Sequence, residues 1–191
     1  MTWPFGNLPL FGFDLIEADP PWRFKTRSQK GQTKGAAAHY ETMSLEEIKA
    51  LPVGRLARGD CLLLLWCPGW AMATGAATKV CEAWDFEPVT ELVWQKLWPS
   101  GKPKMGTGYR ARTLHEPVLL GKIGNPKHKP FPSHFAGVAR EHSRKPEEFY
   151  RIVEAHTPRM IARLSLFSRE NRPGWTGWGD ESGKFNEGEA A

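Results

Sequence analysis

Phe13-Asp14-Leu15-Ile16-Glu17-Ala18 runs directly into Asp19-Pro20-Pro21-Trp22. The short apolar run ends abruptly, which predicts a strand over about 13–18. Two consecutive prolines cannot continue a sheet ladder or enter a helix interior, so the chain must leave the strand in a stiff, extended turn. Neither proline carries a backbone N–H. Carbonyl oxygens at the turn are therefore expected to point outward as acceptors beside the Asp19 carboxylate. An exocyclic amine with two N–H donors would meet two acceptors there, and Trp22 would offer a face on which a flat base can stack. Taken alone, the stretch suits equally a Pro-rich surface turn with a packed Trp.

Downstream, strand and helix signals alternate. Ser44 is the expected N-cap of a helix with Glu47 at the capping-box position, ending near Leu51-Pro52. Cys61–Trp66 reads as a fully buried strand, 70–84 as an Ala-rich helix, 89–94 as the next strand and 117–122 as another. Pro146 opens a helix to about His156, with Glu147 and Glu148 placed to complement its dipole. The last long strand is expected over 160–167. Residues 1–10 read as a loop, 23–39 as a mobile loop over a site, and 182–191 as a disordered tail. Such alternation implies an α/β fold, a mostly parallel sheet with helices on both faces, in one domain over 1–181. Ligands of such sheets bind beyond the carboxyl ends of the strands, where Asp19 would lie.

Composition narrows the function. At 191 residues the chain can bury a substantial core. No apolar run is long enough to span a membrane and the N-terminus does not resemble a signal peptide, so a cytoplasmic protein is expected. Cys61, Cys67 and Cys81 have no paired spacing, and the six histidines have no metal-ligand spacing. Reduced, buried thiols and no metal site follow. The net charge of +5 is unevenly distributed. Between Lys96 and Arg140 the sole acid is Glu116, while Lys102, Lys104, Arg110 and Arg112 lie in a Gly- and Pro-rich segment. Charge alone favours a solvated loop face; loops on a rigid scaffold also commonly carry binding, here of phosphates.

Several motifs follow one another in order: Ala18-Asp19-Pro20-Pro21-Trp22, Tyr40-Glu41-Thr42-Met43-Ser44, Leu62-Leu63-Leu64-Leu65-Trp66 and Leu92-Val93-Trp94-Gln95-Lys96. Glu116 precedes Gly124-Asn125-Pro126. After them come His142-Ser143-Arg144-Lys145-Pro146-Glu147, Leu166-Phe167-Ser168-Arg169 and Trp178-Gly179-Asp180-Glu181. Over residues 13–181 this set resembles the DPPW-type adenine-N6 methyltransferases. The resemblance implies a three-layer Rossmann-like fold and S-adenosylmethionine as cofactor. It also implies methyl transfer to the adenine N6 amine of nucleic acid, DNA favoured over RNA, by a homodimer or a chain with a related partner subunit. An RNA methyltransferase, or a catalytically silent nucleic-acid-binding subunit, is the alternative.

By that resemblance Asp19, Pro20, Pro21 and Trp22 form the catalytic turn. Tyr40 lies on a gate loop, while Trp94, Lys96 and Glu116 border the base; Lys102, Lys104, Arg110 and Arg112 are assigned to nucleic acid. The cofactor set is Ala18, Asp19, Lys145, Leu166, Phe167, Arg169, Asn171, Asp180 and Glu181. Two positions depart from the family pattern: Asp180 replaces an Asn, and Ser165 a Glu common before Leu-Phe. An Asp has no amide N–H to donate to an adenosine.

Overall fold

The computed structural model describes residues 3–23, 42–106, 108, 110–141, 144–179 and 183. Its strands are β1 (Phe13–Ala18), β2 (Ala57–Trp66), β3 (Glu87–Leu97), β4 (His115–Ile123), β5 (His134–Val138), β6 (Arg163–Leu166) and β7 (Trp175–Trp178). The helices are α1 (Leu45–Lys49), α2 (Gly69–Ala73), α3 (Ala76–Ala83) and α4 (Glu147–His156), with a 3-10 turn over Val53–Leu56. The strands form one sheet in the order β5-β3-β4-β2-β1-β6-β7. β1 is parallel to β2 and β6, β6 to β7, and β3 to β5, whereas β4 is antiparallel to both of its neighbours. The carboxyl ends of the parallel strands and the amino end of β4 therefore share one edge. Asp19 after β1, Trp66 ending β2, Lys96 near the end of β3 and Glu116 near the start of β4 are gathered there.

Both faces of the sheet are covered, which explains why Cys61–Trp66 is apolar at every position. On one face Ile16, Leu63 and Leu65 pack against Ile48 of α1 and Val80 of α3. On the other, Leu15, Leu62, Leu64 and Trp66 pack against Phe149 and Val153 of α4. This is the three-layer Rossmann-like α/β arrangement expected of the chain. Gly121 in β4 lets α3 approach: a Cβ there would lie 2.6 Å from Cys81 Sγ. All three cysteines are buried and free.

Several elements match the expected ones, and the differences have local causes. The capping box forms: Glu47 N–H donates to Ser44 Oγ and Ser44 N–H to the Glu47 carboxylate. The helix expected over 70–84 is two helices, broken where Gly75 takes a left-handed conformation at φ 71°. The strand expected over 160–167 is confined to Arg163–Leu166. β2 begins at Ala57, four residues early, because buried Ala57 already pairs with Phe13 ahead of the exposed polar residues 58–60. β5 and β7 escaped the sequence reading; both are short, lie at the sheet edges and bury few residues. Phe5, in the expected N-terminal loop, is fully buried with its ring 5.0 Å from that of Trp178. Most of the segment expected as a mobile loop, and all of the expected tail apart from Gly183, lie outside the described residues. Among the described residues no helix is long and apolar enough to cross a membrane.

Candidate active site

Lys145 stands at the centre of the shared edge. It precedes α4, is 6% exposed, and its Nζ lies 2.9 Å from Asp19 Oδ2 and 3.6 Å from Glu116 Oε2. Lys96 Nζ approaches the same Glu116 oxygen at 3.2 Å. The ammonium of Lys145 also sits 4.6 Å from the Trp66 ring centroid, and that of Lys96 4.9 Å from the Trp94 ring centroid. Two lysines and two carboxylates from four different elements thus form one partly desolvated cluster. Burial pushes the Asp19 carboxyl above its ordinary range while Lys145 pulls it back. At Glu116 burial is outweighed by Lys145 and Lys96, which hold it below. Burial likewise opposes the Lys145 charge, but Asp19, Glu116 and Glu17 overcome it and hold the ammonium well above its usual range.

The Asp-Pro-Pro turn is rigid. Trp22 N–H donates to the Pro20 carbonyl at 2.8 Å, and Met43 N–H to the Pro21 carbonyl at 2.8 Å. Pro21's oxygen is thereby tied to the strand-like bridge between Trp22 and Met43, and Pro20's oxygen already accepts one bond. The expectation of two outward, unused carbonyls is corrected by this pairing. A carbonyl has two lone pairs, so Pro20 retains a second acceptor position beside Asp19. Trp22 also differs from expectation. It is 6% exposed, its Nε1–H donates to the Trp66 carbonyl at 3.0 Å, and Trp70 meets its ring edge-on. Its ring is a buttress under the turn rather than a free stacking surface, because packing and its hydrogen bond consume it.

Trp94 is likewise buried, donating to the Gly137 carbonyl at 3.0 Å, so it supports the cluster from below. Ala18 and Leu166 are buried and paired across β1 and β6, and Asp19 N–H extends that ladder to the Leu166 carbonyl. Phe167 follows in a left-handed conformation at φ 62°, held by edge contact with Trp178 and by the Ser168 N–H bond to the Trp178 carbonyl. A non-glycine residue in that region costs roughly 1–2 kcal/mol and turns the chain sharply at the strand end. Arg169 is half-buried in this turn and its charge reaches Asp19; Asn171 is exposed. Lys104 is half-buried, and Lys102, Arg110 and Arg112 are exposed, on the segment between β3 and β4. Tyr40, Asp180 and Glu181 lie outside the described residues.

Sequence reasoning missed two features. An ion network binds the segment before α4 to the turn after β6. Arg144 lies 2.6 Å from Glu170, Arg172 lies 2.8 Å from Glu147 and 3.0 Å from Glu170, and Arg140 pairs with Glu147. Arg172 also stacks 3.7 Å over the Tyr150 ring. The network fixes the path of the chain that carries Lys145. Alternating Arg and Glu at 140–147 and 169–172 were its only sequence signal.

The second is Glu17, in the middle of β1 and 2% exposed. It lies directly opposite Ser165 in the β1–β6 register, and Ser165 Oγ–H donates to its carboxylate. The Trp66 indole N–H helps to stabilise that carboxylate although, among the described residues, it has no partner within hydrogen-bond distance. Burial raises the Glu17 pKa to about 7, with Ser165 opposing and Asp19 adding to the rise. An acid inside an apolar strand, two residues before Asp19, was the available signal. A folded pKa raised from 4.5 to about 7 means the native state holds a proton that the unfolded chain has released between those values. Stability falls as pH rises through this window, and the full cost is present above it. Glu17→Gln should therefore gain stability relative to the parent on going from pH 5 to pH 8, by up to about 3 kcal/mol. Urea unfolding of both proteins at the two pH values measures this; parallel pH dependences would refute it.

Chemically, this edge suits a ligand that bears both signs. A carboxylate would meet Lys145, and a cation would meet Asp19, Glu17 and Glu116. Among the described residues no cluster of His, Cys, Asp and Glu could hold a metal ion.

The profile of the MT-A70 family matches residues 13–181. The chain is 30% identical over 199 residues to the Type II methyltransferase M.MunI of Mycoplasma sp, covering 93% of this chain and 81% of that protein. It is 27% identical over 187 residues to the N(6)-adenine-specific methyltransferase METTL4 of Homo sapiens, covering 91% of this chain and 38% of the relative. With the N6-methyladenosine RNA methyltransferase MTA1 of Cryphonectria parasitica it shares 29% over 183 residues, 93% of this chain and 54% of that one. The chain thus spans most of the Mycoplasma protein but only about a third to a half of the other two.

Proposed function

The chain belongs to the MT-A70 family, and from that membership we propose that it transfers a methyl group to the N6 amine of adenine in nucleic acid. The observation that carries this reading is Asp19, held by a two-proline turn at the carboxyl edge of the sheet and paired at 2.9 Å with a buried lysine. The adenine amine is a poor nucleophile because its lone pair is delocalised into the ring. Asp19 and the remaining lone pair of the Pro20 carbonyl would accept its two hydrogens and favour the pyramidal form, in which the nitrogen pair is free. Such preorganised acceptors act most strongly in a partly desolvated site. Lys145 favours the ionised, accepting form of Asp19 against the effect of burial. Glu116 and Lys96, fixed to each other, border the place where the base would lie.

S-adenosylmethionine is the proposed cofactor and, when bound, supplies an electrophilic methyl on a sulfonium. Lys145 would hold its carboxylate; Ala18, Leu166, Phe167, Arg169 and Asn171 line the neighbouring turn, and Asp180 and Glu181 are proposed for its adenosine end. No covalent enzyme intermediate is needed, so the work of the chain is orientation. In duplex substrate the base must leave the stack to reach Asp19. DNA is the favoured polymer because the chain spans most of the Type II methyltransferase it resembles. RNA is the second reading, favoured by similarity to the RNA methyltransferase MTA1. The deciding experiment is incubation with labelled cofactor and matched DNA and RNA, followed by nucleoside mass spectrometry. Absence of N6-methyladenine from both polymers would overturn the reading.

The basic segment extends β3 beyond the site. Lys104 N–H donates to the Lys96 carbonyl at 2.7 Å and Trp98 N–H to the Lys102 carbonyl at 2.8 Å. Gly106 N–H then donates to the Thr113 carbonyl at 2.7 Å. Lys102 and Lys104 are thus carried on hydrogen-bonded backbone adjoining the candidate edge, and the Arg112 side chain donates to the Gly106 carbonyl at 3.2 Å, with Arg110 on the same connection to β4. If they contact phosphates, replacing all four by alanine should weaken nucleic-acid binding regardless of sequence. The salt dependence should flatten by about one unit of slope per lost contact. Titrations of DNA and RNA oligonucleotides at several salt concentrations test this; unchanged slopes on both would mean the charges only solvate the surface.

A further inference from the structure

Glu17 is a buried acid that the reading above leaves without a role. Among the described residues its carboxylate receives one hydrogen bond, from Ser165 Oγ, across the β1–β6 register. It shares a strand face with Asp19, the two Cα atoms being roughly 7 Å apart by strand geometry. The groups around it come from every neighbouring element. Ser165 stands opposite on β6; Leu64 and Trp66 are on β2, with the Trp66 indole N–H directed to its side. Tyr150 of α4 feels its charge, and Arg172 and Glu170 bear on that tyrosine from the turn after β6. Lys145 and Asp19 act on it from the catalytic edge. Lys145 is already shared between Asp19 and Glu116, at 2.9 Å and 3.6 Å. Glu17 therefore has no cation of its own at contact distance among the described residues.

We propose that Glu17 is an internal counter-charge for the cationic methyl donor: it carries a proton while the site is free of donor and gives it up when a sulfonium arrives. The inference rests on the cofactor assignment made above and adds a residue and a linkage to it. A positive charge brought near the carboxyl edge stabilises every neighbouring carboxylate. Lys145 and Lys96 hold Glu116 below its ordinary range, and Lys145, 2.9 Å from Asp19, favours the ionised form of that acid against the effect of burial. Glu17 is the group with a proton in hand near neutral pH, since burial raises it to about 7. Methyl transfer would leave a thioether and put the positive charge on the methylated amine, which sheds it as a proton to solvent; with that charge gone from the site, Glu17 takes a proton back. Product is then held by a site with one fewer negative charge. No bond to Glu17 forms or breaks other than its O–H, and the proton is exchanged with solvent.

Isothermal titration calorimetry in buffers of differing ionisation enthalpy counts the protons released on binding. The full chain is titrated with S-adenosylmethionine and with S-adenosylhomocysteine, which has the same groups without the sulfonium charge. At pH 7 the parent protein is expected to release roughly 0.3–0.5 proton more with the sulfonium than with the thioether, beyond the difference seen in Glu17→Gln. Comparing parent with variant cancels any change in the ligands' own amino groups. Ser165→Ala provides a second route that leaves Glu17 in place. Losing the hydroxyl removes the bond that favours the carboxylate, so the pH of greatest release should move upward. Equal sulfonium-minus-thioether counts in parent and Glu17→Gln, or an unmoved maximum in Ser165→Ala, would overturn the inference while leaving the cofactor assignment intact. No binding of either ligand by the parent would overturn both.

Discussion

Asp19→Asn is expected to lower methyl transfer by about 10²–10⁴-fold while leaving the fold intact. The substitution keeps the size of the side chain and removes its charge. The Asn amide also presents a donor where the site needs a second acceptor for the amine. Because Asp19 and Lys145 lie 2.9 Å apart, alanine at this position would be a less selective change. It would leave a buried ammonium short of a partner and so disturb the cofactor side as well. With asparagine the loss should fall on turnover, and the Michaelis constant for nucleic acid should change little, the pattern of an interaction made chiefly in the transition state. Turnover within threefold of the parent would remove Asp19 from the mechanism.

Lys145→Met is expected to be the most destabilising of the site substitutions. It leaves Asp19, Glu116 and Glu17 facing one another without the cation they share. Removing one partner from a buried charge cluster typically costs about 3–5 kcal/mol. The pH dependence has a definite sign. Glu116 is held below its ordinary range by Lys145 and Lys96, so in the parent its contribution is present at neutral pH and lost as pH falls through its folded pKa. Without Lys145, burial raises Asp19 and Glu17 further and Glu116 loses one of the two cations that hold it down, so the native state must hold protons to persist. The deficit of the variant should therefore be smaller at pH 5 and larger at pH 8. Cofactor affinity should fall at least tenfold in the same protein. Urea midpoints at both pH values, with calorimetry of cofactor binding, measure these effects; parental stability at pH 8 would show that the cluster is not a desolvated unit.

Much of the candidate site was legible because its parts are local. Asp19-Pro20-Pro21 forces the chain out of a strand whatever surrounds it, and the Ser44–Glu47 capping box closes within four residues. Lys145 could be placed because the Pro at its C-terminal side starts a helix. The misreadings concern groups whose role depends on distant neighbours. Trp22 looked like a stacking face, but whether an indole is open or spent is decided by Trp66 and Trp70. Pro21 looked like a free acceptor until Met43 was brought beside it. Glu17 passed unnoticed because an acid in a strand is ordinarily placed on a solvent face by alternation, and only the covering layer of α4 makes it buried.

From its order of residues alone, the chain determined an alternating α/β fold, the position of the stiff Asp-Pro-Pro turn, and family membership. Those properties follow from backbone chemistry and from patterns contained in short segments. Only the tertiary structure decided that β4 enters the sheet antiparallel, which brings Glu116 to the same edge as Asp19. Only it brought Lys145 between the two acids, and Ser165 against Glu17 from 148 positions away. The reason is physical: the protonation of a carboxylate is set by desolvation and by charges a few ångströms distant. Such distances between remote segments exist only after the sheet has been assembled and covered.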